Sequence, residues 1–106
     1  MLEELTRQDP LTGLANRREL MRRAGEEVRR ARRYEQPLSL VALDVDHFKQ
    51  INDRWGHQGG DQALKALSAV LEASSRDTDL AARTGGEEFV VLLPDTPLDG
   101  AIVFAE

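Results

Sequence analysis

At 106 residues, 41% hydrophobic and 31% charged, the chain is sized for one soluble globular domain with a single modest core, and its lack of cysteine excludes disulfides and thiolate metal sites. The net charge of −5 is uneven: residues 1–36 carry nine Lys or Arg against seven Asp or Glu, and residues 37–106 carry five against twelve, so the acidic part lacks the basic footprint that nucleic acid demands. No apolar run reaches the roughly 20 residues of a membrane span and no signal-peptide core opens the chain, which makes the cytoplasm the default compartment and leaves no membrane contact to this domain.

Met1 to Gln8 is short and polar and reads as a linker or the end of a preceding helix. In Asp9-Pro-Leu-Thr-Gly-Leu14, Pro and Gly punctuate while Asp or Thr can cap. A helix is predicted from about Asn16, with Leu14, Met21, Ala24, Val28 and Ala31 as its apolar stripe. Its many arginines form either a solvated face, partly compensated by Glu26 and Glu27, or a polyanion-binding surface. Gln36-Pro37 ends it, because the residue before proline is pushed out of the α region.

Leu38 to Val45 is apolar on both alternating faces, the pattern of a central strand covered on two sides. It closes on Asp44-Val45-Asp46, whose carboxylates share a face if the strand persists that far. A short helix from His47 to Trp55 is stopped by Gly56, and Gly59-Gly60-Asp61 restarts a second with Asp61 as N-cap. Ala63, Leu64, Leu67, Val70 and Leu71 line its core face, and Ser74-Ser75 close it. His57 is expected in the intervening loop, near Asn52 and Asp61.

Leu80 to Arg83 and Glu88 to Leu93 read as a hairpin around Gly85-Gly86, glycines suited to the positive φ of a tight turn and to close approach of an anionic ligand. A helix follows from Leu98 to Ala105, so the order is that of an α/β sandwich with mixed strand directions.

Asp44, Asp46, Glu87 and Glu88 fall at the ends of two strands expected to be neighbours. Converged carboxylates repel unless protons or a hard divalent cation intervene, and Mg²⁺ is usual where phosphates share the site. The alternative is that some are exposed strand ends, Asp46 above all. An EF-hand is excluded, because counting from Asp44 places Phe48, Lys49 and Trp55 where a ligand, the turn glycine and the bidentate Glu belong. No Walker-type phosphate loop or dinucleotide fingerprint occurs. Asn52 and Asp61 offer the amide and carboxylate that can read a guanine edge, with helix capping as the plain role of Asp61. Arg76-Asp-Thr-Asp79 is by itself a polar loop.

Taken together, Asp9-Pro-Leu-Thr-Gly-Leu-Ala-Asn-Arg17, Asp44-Val-Asp-His-Phe-Lys49, Asn52-Asp53, Gly56-His57, Gly60-Asp61 and Gly85-Gly-Glu-Glu-Phe89 closely resemble the GGDEF domain of bacterial diguanylate cyclases, with Glu at the third signature position. The resemblance assigns 1–8 to a linker or preceding signalling helix and 9–106 to a partial GGDEF domain. It implies a palm-like fold of the nucleotidyl-cyclase kind that binds GTP with Mg²⁺ or Mn²⁺. Two GTP would be joined into cyclic di-GMP across a homodimer, under an N-terminal sensory or receiver domain, in the cytoplasm or on the cytoplasmic part of a membrane-anchored sensor.

By position, Asp44, the Val45 carbonyl, Glu87 and Glu88 would serve the metal, and Glu87 and Lys49 the chemistry. Phe48, Asn52, His57, Asp61, Gly85 and Gly86 would bind substrate, and Arg76 and Asp79, with five residues between Asp79 and Gly85, an inhibitory product. The family's domain continues past a helix like Leu98–Ala105 into further strands and a helix with basic phosphate contacts, so impaired activity is expected of this chain. The rival function is a non-catalytic module that binds GTP or cyclic di-GMP.

Overall fold

The computed structural model describes residues 6–105. Its elements are α1 (Arg17–Tyr34), β1 (Leu38–Asp44), α2 (Phe48–Ser74), β2 (Leu80–Arg83), β3 (Glu88–Pro94) and α3 (Leu98–Ala105). The predicted α/β class holds. The strands form an antiparallel sheet in the order β1-β3-β2, with Leu38 opposite Pro94, Asp44 opposite Glu88, and Leu80 opposite Leu92. None of the described helices is long and apolar enough to cross a membrane.

Alternation along β3 supplies two cores. Phe89, Val91 and Leu93 face α2 and α3, where they join Leu14, Leu64, Leu71, Ala81 and Ala101. Leu92, with Ala82 of β2, faces α1 and meets Leu20. The central strand is therefore β3; among the described residues β1 is an edge, and its Leu40 is 59% exposed. The stripe expected on α1 also differs. Leu20 is the buried residue, Met21 and Val28 are exposed, and Leu14 precedes the helix and packs in the opposite core. The helix starts where expected, and Asn16 caps it, its side chain accepting from the Glu19 amide at 2.9 Å. Of the face assigned to the later part of α2, Leu64 and Leu71 are buried together with Ser68, whereas Val70 is exposed.

α2 contains a kink where two helices with a loop between them were predicted. Gly56 alone is non-helical, at φ 78° and ψ 177°, a left-handed φ open to glycine at little cost. Helix resumes at His57, so His57 is not in a loop and Asp61 is an interior helical residue with no N-cap role. Trp55, just before the kink, is 65% exposed and lies against the Arg54 guanidinium, 5.2 Å from its ring centre. Gly60 is buried against Asn52 and Phe48: a Cβ there would stand 3.0 Å from the Asn52 amide carbon and 3.2 Å from the Phe48 ring.

The segment before α1 is tied to the sheet. Ala15 bridges in parallel to Ala82, accepting from the Arg83 amide and donating to the Ala81 carbonyl. Asp9 closes its own turn by accepting from the Thr12 amide and hydroxyl, both at 2.9 Å, and it also accepts from the Arg83 guanidinium at 3.1 Å. Burial pushes the Asp9 carboxyl up, but the hydrogen bonds from Thr12 and Arg83 outweigh it and hold the group below its ordinary value.

Because the folded-state pKa of Asp9 is lowered, its stabilisation is complete above the unfolded value near about 4 and is lost as pH falls through the lower folded value. Asp9→Asn should therefore cost about 1–2 kcal/mol at neutral pH. In denaturant titrations the gap between variant and parent should close below about pH 4, and a gap that persisted in acid would refute the ionic role. Gly60→Ala is expected to destabilise by about 1–3 kcal/mol through overpacking, although alanine is ordinarily the better helix former by about 1 kcal/mol. A gain in stability on urea unfolding would show instead that Asn52 swings clear.

Candidate functional site

The loop that joins β2 to β3 runs over Thr84, Gly85, Gly86 and Glu87, between the strand ends expected from the sequence, but neither glycine takes the positive φ expected of a tight turn. The amides of Thr84 and Gly85 both point at the Glu88 carbonyl, at 3.0 and 3.5 Å. Arg83 holds the loop from below: its Nε donates to the Gly85 carbonyl at 3.2 Å and its Nη2 to the Gly86 carbonyl at 2.8 Å, while Nη1 reaches Asp9. A Cβ on Gly85 would press on the Glu88 side chain at 3.1 Å, whereas Gly86 is bordered by open space. The absence of a side chain thus matters here for approach, not for backbone strain.

Asp44 and Glu88 are directly opposite each other on adjacent strands, so their side chains leave the same face of the sheet. They line a shallow pocket of about 200 Å³ with Ala42, Thr84 and Val90. The Val45 amide donates to the Glu87 carbonyl at 3.2 Å, which pins the chain leaving β1 to the hairpin loop. β1 ends at Asp44, and Asp46 belongs to the turn that follows, so the shared strand face for Asp44 and Asp46 is not formed. Nor do three or four carboxylates converge: among the described residues no group of three or more acidic or histidine side chains is placed to hold a metal ion. The reason is the alternation of β3, which puts Glu88 beside Asp44 and leaves Glu87 half-buried in the loop.

α2 starts immediately beyond this pair. Its first residues are the half-buried Phe48 and the exposed Lys49, and its first turn contains no acid, so the charge within that turn is a cation. One turn further on, the Asn52 Oδ1 is buried and has no hydrogen-bond partner. An unpaired buried carbonyl is costly, and it faces Gly60, next to Asp61. Asp61 and His57 are exposed on the far side of the kink.

A second cluster forms where α2 meets β2. Asp79 is buried; its Oδ2 accepts from the Arg76 amide at 2.8 Å and from Arg76 Nε at 3.2 Å, and its Oδ1 from Arg76 Nη2 at 2.9 Å. The same Nη2 reaches the Pro94 carbonyl at 2.9 Å and the hydroxyl of buried Thr96 at 2.7 Å. The hydrogen bond to Asp79 raises the Arg76 pKa above its ordinary value. Beside it a groove of about 410 Å³ runs between Arg7, Glu19, Glu72 and Leu80.

The structure thus joins Asp44 to Glu88, Asn52 and Phe48 to Gly60, and Arg76 to Asp79. The roles of Arg83 and Thr96 escaped sequence reading. The guanidinium of Arg83 bonds a carbonyl two residues away, which its spacing permits, but its contact with Asp9 spans 74 positions and leaves no local signal. Thr96 lies 20 positions from Arg76 in the short loop between Pro94, the last residue of β3, and α3.

Comparison with known proteins yields a consistent result. The family model "Diguanylate cyclase, GGDEF domain" matches residues 6–106. Diguanylate cyclase DgcP of Pseudomonas aeruginosa is 53% identical over 91 residues, 86% of this chain and 14% of that protein. The crystal structure of diguanylate cyclase SiaD in complex with its activator SiaC, from the same species, superposes with a TM-score of 0.90 at 48% identity, over 98% of this chain and 40% of that one. The GGDEF domain of DgcB from Caulobacter crescentus, solved in complex with c-di-GMP, gives a TM-score of 0.91 at 34% identity, over 94% of this chain and 58% of its own. The chain therefore spans a small part of its curated relatives, and that part carries the signature loop, the Asp44–Glu88 pair and the palm-like sheet: the chain belongs to the GGDEF domain family.

Proposed function

We propose that this domain is a diguanylate cyclase module that binds one GTP with a divalent cation at the Asp44–Glu88 pair. The observation that carries the reading is that pair, placed face to face across two strands beside a pocket and the acid-free start of α2. Two like charges directly opposite disfavour a sheet pairing, and a bound cation would relieve that repulsion. The donor set is hard oxygen, which suits Mg²⁺ or Mn²⁺. Asp44, Glu88, the Val45 carbonyl and Glu87 would hold the ion, Glu87 after a change of side-chain orientation. When bound, the ion neutralises phosphate charge.

The chain's own residues account for the rest. Gly86, with open space around it, admits a phosphate to the backbone, and Lys49 at the start of α2 supplies positive charge to it. The unpaired Asn52 oxygen, once turned out from its place against Gly60, accepts from the exocyclic amine of guanine, and Asp61 accepts from the ring N–H; His57 contacts the nucleotide. In the reaction the 3′-hydroxyl of one GTP attacks the α-phosphorus of the other. The new O–P bond replaces the bond to the β-phosphate, pyrophosphate leaves, and the hydroxyl proton passes to Glu87. Repetition in the opposite sense closes cyclic di-GMP, so two such half-sites must face each other in a homodimer. Arg76 and Asp79 form the product site, by analogy with a relative solved with c-di-GMP. Residues 9–106 are part of the catalytic domain, with impaired turnover by themselves, and are joined through 1–8 to a sensory or receiver domain in the cytoplasm. Titration calorimetry of the chain with a non-hydrolysable GTP analogue should show binding that requires Mg²⁺. Equal binding without the ion would remove it from the site, and binding of cyclic di-GMP alone would favour the rival reading as a non-catalytic module. Where the domain turns over, Glu87→Gln should lower product formation at least about 100-fold with an unchanged circular dichroism spectrum, and retained turnover would exclude Glu87 as the base.

A further inference from the structure

We propose that Thr96 is the positioning residue for the product-binding arginine. The inference rests on the assignment of Arg76 and Asp79 to cyclic di-GMP. Arg76 leaves the C-terminal side of α2 on a side chain that is 56% exposed, and a guanidinium so placed would ordinarily sample many rotamers. Here one edge is fully engaged. Nε and Nη2 meet the Asp79 carboxylate, and Nη2 is shared with the Pro94 carbonyl and the Thr96 hydroxyl. Asp79 alone fixes the fork in the plane of one carboxylate. Thr96 adds a contact from a different element, and the two together define which way the plane faces. Nη1 has no hydrogen-bond partner among the described residues and is the edge left for an anionic oxygen.

Thr96 is itself held on every polar atom. Its hydroxyl donates to the Pro94 carbonyl at 2.9 Å, its amide donates to the Pro37 carbonyl at 3.2 Å, and its carbonyl accepts from the Ser39 hydroxyl at 2.6 Å. Pro37 and Ser39 lie at the start of β1, the strand that ends at Asp44. The arginine is thus braced against the same strand whose other end carries the proposed metal ligand, not merely against its own loop.

The test compares Thr96→Val, which keeps the shape and loses the hydroxyl, with Thr96→Ser, which keeps the hydroxyl, in the full chain. Calorimetric affinity for cyclic di-GMP should fall about tenfold or more in the valine variant and stay within about twofold in the serine variant, because a hydrogen bond to a charged group is lost only in the first. Affinity for the GTP analogue with Mg²⁺ should not change in either. If valine prevents folding by pressing a methyl group on the Pro94 carbonyl, Thr96→Ala removes the hydroxyl without that pressure and takes its place. Arg76→Ala separates the two levels of the argument. Product binding lost in Arg76→Ala but unchanged without the Thr96 hydroxyl would overturn the positioning role alone. Binding unchanged in Arg76→Ala would overturn the product site and the role of Thr96 with it.

Discussion

The burial of β3 on both faces at once is the constraint from which the rest of the structure follows. Phe89, Val91 and Leu92 are fully sealed from solvent, and each such side chain contributes about 1.5–3 kcal/mol of apolar transfer free energy. A strand so placed cannot slip by one residue without exchanging its two cores, so its register against β1 is fixed with little freedom. That register sets Glu88 opposite Asp44. The position of two mutually repelling carboxylates is thus dictated by hydrophobic packing several residues away, which supplies the free energy their repulsion costs.

The helix and strand boundaries were largely legible in the sequence because they depend on local signals. The helical spacing that begins near Asn16, Pro37 as a stop and the apolar run from Phe89 to Leu93 each act within a few residues. The errors arose where a non-local contact decided. Met21 fits an apolar stripe as well as Leu20 does, and only the position of Ala82 and Leu92 selects between them. β1 reads as central because both its faces are apolar, but among the described residues only one of its edges is paired. At the site, residue types and spacing drew attention to Asp44, Asn52 and Glu88, and the family resemblance alone pointed to Arg76 and Asp79. The groups that orient them, Arg83 and Thr96, lie far away in sequence and are of ordinary composition.

Two arginines play opposite parts. Arg83 spends its donors on Asp9 and on the carbonyls of Gly85 and Gly86, and so locks a loop that has no strained backbone of its own. Arg76 spends one edge on Asp79, Pro94 and Thr96 and keeps the other. The first use consumes a guanidinium to make rigidity, and the second makes a rigid guanidinium. The planar fork of arginine permits both, where a lysine ammonium would define neither plane.

The kink at Gly56 has an optical consequence. Trp55 is the chain's only tryptophan; it sits at the last residue before the left-handed break, and its Cβ region packs against Gly59 on the other side. Its indole is mostly in water and stacked on Arg54. Tryptophan fluorescence from this chain therefore originates at one point, between the half of α2 that holds Phe48, Lys49 and Asn52 and the half that holds His57 and Asp61. Any change in the angle between those halves would alter the polarity around a single emitter, with no label and no second tryptophan to confuse the signal.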